Sequence, residues 1–269
     1  MIINHNLNAM NAHRNLQGNN IQQGKSSEKL SSGYKINRAA DDAAGLSISE
    51  KMRTQIRSLN QAQSNAQDGV SLVQTAEGAM NEVSDMLSRM KELATKASTG
   101  TYNASDLGAI DSEFKSLSSA IDNIATKTNF NGINVLNTTS AVTIQIGDKG
   151  GDIVTVSLQN ITVASLAIKA DNLASMSSAS TALGNIDKDI LTVNSARSSF
   201  GAVQNQLEHT FNNLGTTTEN LQAAESRIRD TDMAKEMMNY TKLNILQQAS
   251  TSMLAQANQG SQGVLKLLS

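Results

Sequence analysis

Hydrophobic residues recur every seven positions along two long stretches of the chain. In the first, Leu72, Ala79, Met86 and Leu93 form one line, and Ala76, Val83, Met90 and Ala97 form a second, four residues on. In the other, Ile186, Val193, Phe200, Leu207, Leu214, Leu221 and Ile228 fall seven apart. Its companion line, Ala196, Val203, Thr210, Thr217 and Ala224, is small and partly polar. A strict seven-residue repeat keeps one seam of a helix against a partner, so both stretches predict helices that wind around neighbours. At ~1.5 Å per residue the seams run roughly 39 Å and 64 Å, which predicts a rod. Each buried Leu or Ile contributes about 1.5–3 kcal/mol, enough for two such seams to hold a three- or four-helix bundle. Gly78, Gly201 and Gly215 interrupt the tracts and are compatible with either close packing or slight bending.

Between the tracts the period changes. The first ends at Ser98-Thr99-Gly100, after which Asn103 or Ser105 can cap a helix carrying Leu107, Ile110, Phe114, Leu117, Ile121 and Ile124. That helix runs into the turn signal Asn129-Phe130-Asn131-Gly132. Val142, Ile144 and Ile146 then alternate, as do Val154, Val156 and Leu158, around the loop Gly147–Asp152. Alternation about a glycine-rich loop predicts a β-hairpin. Residues 160–182 read as a Ser/Ala-rich connection back to the helices.

Both ends are apolar and helix-like. The chain opens Met1-Ile2-Ile3, keeps Leu7 and Met10 at helical spacing, and closes Val264-Leu265-Lys266-Leu267-Leu268 before Ser269. Ends fray unless something ties them down, so each is expected to find a partner. The heptad fails at 31–42 and again at 225–233. The expected organisation is a terminal coiled-coil domain from 1–33 and 234–269, connectors at 34–46 and 225–233, and a helical bundle over 47–224 with a β-hairpin at 140–160. The expected fold is thus mainly α, a long helical bundle or coiled-coil rod with one β-hairpin region and paired termini. The stripes on the end helices are thin, which predicts ends that become helical only on assembly.

Composition narrows the chemistry. Aromatic residues are 3% of the 269, with no Trp, which disfavours an enzyme with an aromatic-lined pocket. Proline is absent, where ordinary usage gives roughly a dozen, and long unbroken helices suffice as a reason. Cysteine is absent too, so the fold needs neither disulfide nor thiolate metal site and is indifferent to redox compartment. A net charge of −2 gives no reason to expect nucleic acid or an anionic membrane as partner. The start MIINHNLNAM has neither the basic nor the apolar region of a Sec-type signal, and no apolar run is long enough to span a bilayer.

Candidate catalytic features fail one by one. Gly18 to Gly24-Lys25-Ser26 imitates a phosphate loop, but the glycine spacing is wrong and no strand precedes it. His5, His13 and His209 show no metal spacing, and neither HExxH nor GxSxG occurs. The loop Gly147–Asp152 reads as a turn rather than a calcium site. No catalytic, cofactor-binding or metal-binding residues are expected, and the chain is read as a non-enzyme.

The segments MIINHNLNAMNAHRNL, LSSGYKINRAADDAAGLSISEKM, AEGAMNEVSDMLSRMKELATKAS, NFNGINVL, ESRIRDTDMAKEM and ILQQASTSMLAQANQGSQGVLKLL strongly resemble bacterial flagellin. The resemblance covers about 1–140 and 180–269 and lacks the large outer domains that many flagellins insert in the middle. It implies a homopolymeric, secreted filament subunit for motility, exported through the flagellar type III pathway. Its terminal helices form the inner coiled coil (D0), and the bundle with hairpin forms the next shell (D1). The positions expected in the terminal core are Ile2, Ile3, Leu7, Met10, Leu246, Met253, Leu254, Val264, Leu265, Leu267 and Leu268. The family further implies an export chaperone, a filament cap and hook-junction proteins as partners.

Flagellins recognised by the host Toll-like receptor use an Arg–Leu pair and a Glu, which the resemblance carries onto Arg89, Leu93 and Glu113. Arg89 and Leu93 are four apart and share a helix face. Leu93 also sits in the heptad seam, so core and contact are rival readings of it. Leu265, Leu267 and Leu268 resemble the segment sensed by cytosolic inflammasome receptors, although the chain ends in Ser269 where relatives often carry Arg. The hook–filament junction protein is the alternative within the same machine. It shares the terminal helices but usually departs from DDAAG and LAQANQ, both complete here.

Overall fold

The computed structural model describes residues 6–268, so Ile2 and Ile3 lie outside the described residues, as do the side chains of Val264, Leu265, Leu267 and Leu268. The described chain is five helices, α1 (Leu7–Ser32), α2 (Ala43–Ala97), α3 (Ala104–Lys127), α4 (Met176–Arg229) and α5 (Met233–Leu268). Between α3 and α4 lie β1 (Asn129–Phe130), β2 (Ile133–Asn134), β3 (Ala141–Gln145) and β4 (Ile153–Ser157). Two compact units result: Met1–Thr54 with Asn220–Ser269, and Gln55–Glu219. Helices α2 and α4 contribute residues to both.

Side-chain caps decide where helices begin. Asn6 accepts from the Ala9 N–H at 3.1 Å. At α3, Asn103 and Asp106 form a reciprocal capping box, which settles the choice between Asn103 and Ser105. Asp232 accepts from the Lys235 N–H at 3.1 Å and starts α5. The weak stretch at 225–233 is therefore helical as far as Arg229, and the break is confined to 230–232. The ends differ from expectation in one respect. Both α1 and α5 are helical over their described residues and pair with each other in antiparallel fashion, their backbones close along much of their length.

In the unit Gln55–Glu219 the core face of α2 is wider than a two-line seam. Val73, Met80, Leu87 and Ala94 are fully buried beside Ala76, Val83, Met90 and Ala97. Of the predicted first line only Leu72 and Leu93 are buried, while Ala79 and Met86 are partly exposed. The reason is that α2 packs into a cluster shared with α3, α4 and both hairpins, not against one partner. On α4, Ile186, Val193, Phe200, Leu207 and Leu214 are buried as the repeat requires. Thr217 of the companion line is exposed and its neighbour Thr218 is buried, the drift expected of a straight helix against a strict heptad.

The hairpin β3–β4 is antiparallel with Val142 opposite Val156 and Ile144 opposite Val154. Ile144, Val154 and Val156 face the core. Gly69 of α2 sits under this docked hairpin, where an added Cβ would meet Ile144 Cδ1 and press on Leu207 Cδ1. Gly78 and Gly201 have open space around the Cβ position, so close packing is not their role. The turn signal at 129–132 closes a second, two-residue hairpin, β1–β2. Asn131 and Gly132 both have positive φ, 48° and 80°, the signature of a type I′ turn.

Residues 158–173 are more than a connection. Leu158, Ile161, Leu166, Ile168 and Leu173 are buried, and helix carboxylates hold the segment's backbone. Asp189 accepts from the Ala167 and Ile168 N–H groups at 2.8 and 3.0 Å. Asp122 accepts from Val163 at 3.2 Å and Asp111 from Leu173 at 2.8 Å. Burial pushes the Asp189 carboxyl above its ordinary value in spite of those two bonds.

Candidate assembly and recognition surfaces

The helix pair α1–α5 is held by polar contacts. Asn6 donates to the Ala257 carbonyl at 2.9 Å, Asn19 to Ser250 Oγ at 3.1 Å, and Ser26 to Glu236 at 2.5 Å. Among described side chains only Ser26 of α1 and Leu243 of α5 are buried. The apolar stripes point the other way: Leu7, Met10, Ile21, Met238, Ile245 and Met253 are 61–67% exposed. Leu246 is also exposed and Leu254 is half-buried. Between the helices runs an open groove lined by Asn8, Asn11, Asn15, Leu246, Met253 and Gln256. A run of exposed apolar side chains rimmed by amides marks a protein-binding surface.

The two segments where the heptad fails are joined in a clasp within the unit Met1–Thr54 with Asn220–Ser269. Helix α1 ends at Gly33, in the left-handed conformation at φ 76°. Tyr34 then bridges Asp230, with Lys35 N–H donating to the Arg229 carbonyl at 2.7 Å and Thr231 N–H to Gly33 at 2.9 Å. The Arg229 guanidinium lies 4.8 Å from the Tyr34 ring centroid and donates to Glu50 at 2.6 Å. That hydrogen bond, working against burial, holds the Glu50 carboxyl below its ordinary value. The two aspartates of Asp41-Asp42 bind backbone. Asp41 accepts from Asn37 and Arg38 N–H at 3.2 and 3.0 Å, and Asp42 from Gly45 at 2.9 Å. The bonds from Arg38 and then Asn37 lower the Asp41 pKa. Arg38 in turn grips Glu28 through two bonds, 2.9 and 3.1 Å.

The three residues carried over for recognition separate into two kinds. Arg89 and Glu113 are exposed and paired, with Arg89 Nη2 2.9 Å from Glu113 Oε1 and a further bond to Glu92 at 2.8 Å. These bonds, Glu113's first, hold the Arg89 guanidinium more firmly protonated than usual. Leu93 is 3% exposed and belongs to the bundle core. The sequence put Arg89 and Leu93 on one face of a helix and Glu113 on the next helix, but did not show which side of the helix wall Leu93 takes.

Two features escaped the sequence reading. Asp189 was legible in principle, because it falls seven before Ala196 on the companion line, where a charge must have buried partners. The Arg229–Tyr34–Glu50 cluster had no local signal, since its members come from three distant segments. Among the described residues no three metal-binding side chains gather, and no helix is long and apolar enough to cross a membrane.

Comparison with known proteins gives these surfaces a family. Residues 3–141 match the bacterial flagellin N-terminal helical region and residues 183–268 the bacterial flagellin C-terminal helical region. A flagellin of Halalkalibacterium halodurans is 53% identical over 272 residues, covering all of both chains. The flagellar filament 33 kDa core protein of Treponema phagedenis is 46% identical over 285 residues, again covering both chains fully. The crystal structure of Bacillus cereus flagellin superposes with a TM-score of 0.53 at 36% identity, over 60% of this chain and 94% of that one. Family regions at both ends and identities of 53% and 46% over the full length leave one assignment: the chain belongs to the bacterial flagellin family.

Proposed function

We propose that this flagellin is a filament subunit whose α1–α5 pair buries its exposed apolar stripe against the same helices of neighbouring copies. The observation that carries it is the exposed apolar stripe of that pair, where Leu243 is the one apolar side chain buried among the described residues of α1 and α5. Repeated heterologous contacts that do not close produce a helical filament, which suits a subunit of the flagellum's extracellular part. In this reading 1–33 and 234–269 are the assembly domain, 34–46 and 225–233 the connectors, and 47–224 the helical bundle with its β-hairpin. Export through the type III pathway, with a chaperone, cap and hook-junction proteins, belongs to the same reading.

The test is seeded polymerisation of purified protein, followed by sedimentation and electron microscopy. Wild-type protein forms filaments, and Met238→Asp with Ile245→Asp stays monomeric at unchanged helix content. Normal filaments from that variant overturn the proposal. Host recognition is a second reading, supported by the exposed Arg89–Glu113 pair. Arg89→Ala weakens binding to the flagellin-sensing Toll-like receptor by more than about 1 kcal/mol, and an unchanged dissociation constant rejects it. Any sensing of Leu265, Leu267 and Leu268 by cytosolic receptors rests on the resemblance alone.

A further inference from the structure

The chain's 11 methionines are distributed unevenly with respect to solvent. Met80 and Met90 are fully buried in the bundle, whereas Met10, Met233, Met237, Met238 and Met253 are all exposed on α1 and α5. Met233 and Met237 are one turn apart and share a face, and Met238 continues seven residues on to Ile245. The exposed apolar side chains of α1 and α5 thus include five oxidisable thioethers, with Met233 and Met237 lying about 100–140° round the helix from Met238.

We propose that these exposed methionines are sites of two-electron oxidation, and that their conversion to sulfoxides blocks assembly of the free chain. The inference rests on the filament reading. The oxidant is a peroxide: the thioether sulfur attacks one peroxide oxygen, the O–O bond breaks, and an S=O bond forms. Sulfur is oxidised by two electrons, and hydrogen peroxide is reduced to water. The product replaces a flexible apolar side chain by one with a strong hydrogen-bond acceptor. An acceptor buried without a donor opposes association. Met253 lines the groove beside Asn8, Asn11 and Asn15, whose amides can donate to a sulfoxide. Met10 is a single site on α1, so the penalty falls chiefly on the three neighbouring sulfurs of α5, Met233, Met237 and Met238. Assembly covers these sulfurs, so the unassembled chain is the vulnerable species and the filament is protected.

The experiment treats monomer and preformed filament with hydrogen peroxide, maps sulfoxides by peptide mass spectrometry, and measures the critical concentration for seeded assembly. In the monomer Met233, Met237 and Met238 oxidise while Met80 and Met90 do not, and the critical concentration rises about tenfold or more. Filaments show slower oxidation at the same three sites. Methionine sulfoxide reductases A and B together restore assembly. A chain carrying Met233→Leu, Met237→Leu and Met238→Leu assembles and resists peroxide, while Met176→Leu, an exposed site outside the terminal helices, confers no resistance. If the Leu substitutions themselves disturb assembly, the reductase arm decides. Oxidised protein that assembles like untreated protein, or peroxide inhibition undiminished in the triple variant, overturns the inference. Untreated protein that fails to assemble overturns the filament reading instead.

Discussion

Replacing Leu93 by alanine separates packing from recognition. The side chain is 3% exposed and lies in the same cluster as Met90 and Ala97. Truncation removes its transfer free energy and leaves a cavity that helices anchored on several sides cannot close. Such Leu→Ala changes cost about 2–5 kcal/mol. Arg89, one turn away, is a contrast. Its bonds to Glu113 and Glu92 join groups that are about half exposed, and exposed pairs contribute about 0–1 kcal/mol. Urea unfolding followed by helical circular dichroism should therefore show Leu93→Ala strongly destabilised and Arg89→Ala close to wild type. Receptor titration of both, below the unfolding midpoint, should show the larger loss per unit of stability for Arg89→Ala. Leu93→Met, which conserves volume, should cost less than about 1.5 kcal/mol. The reasoning fails if Leu93→Ala unfolds within about 0.5 kcal/mol of wild type, the range of an ordinary surface change.

Three further outcomes follow from the geometry. Gly69→Ala forces a methyl against Ile144 and Leu207 and should destabilise by about 1–3 kcal/mol, whereas Gly78→Ala, in open space, should stabilise by up to about 1 kcal/mol; equal effects in urea titrations would refute the docking argument. The Glu50 carboxyl sits below its ordinary pKa, so its contribution to the clasp is complete above the usual carboxylate range and is lost as pH falls through the lowered folded value. Hydrogen exchange at Lys35 and Thr231 should quicken across that acid window in wild type, and Arg229→Ala should be fast at every pH; identical pH profiles in the two would sink the clasp. Asp189→Ala leaves the buried Ile168 N–H without its acceptor, at about 1–3 kcal/mol, removes the partner of the exposed Ala167 N–H as well, and should raise exchange through 160–173. Because burial raises the Asp189 pKa, the fold holds that proton more tightly than the unfolded chain does, and this group costs stability as pH rises from the ordinary value through the raised one.

By itself the sequence determined the helices, the buried line of α4 from Ile186 to Leu214, the hairpin at 141–157 and the family, since each is a local property. A seven-residue repeat, a strict alternation or an Asn-Gly turn needs only its near neighbours to be read. Motif segments at both ends identified the family for the same reason. Only the tertiary structure decided what depends on residues far apart in the chain. It widened the α2 face to take in Val73, Met80, Leu87 and Ala94, because α2 has neighbours on more than one side. It turned the 160–173 connection into a buried segment held by Asp111, Asp122 and Asp189. It brought Tyr34, Glu50 and Arg229 into one cluster. It also put Leu93 inside while leaving Arg89 and Glu113 outside, a choice set by which neighbours pack on the helix, which spacing along one helix does not encode.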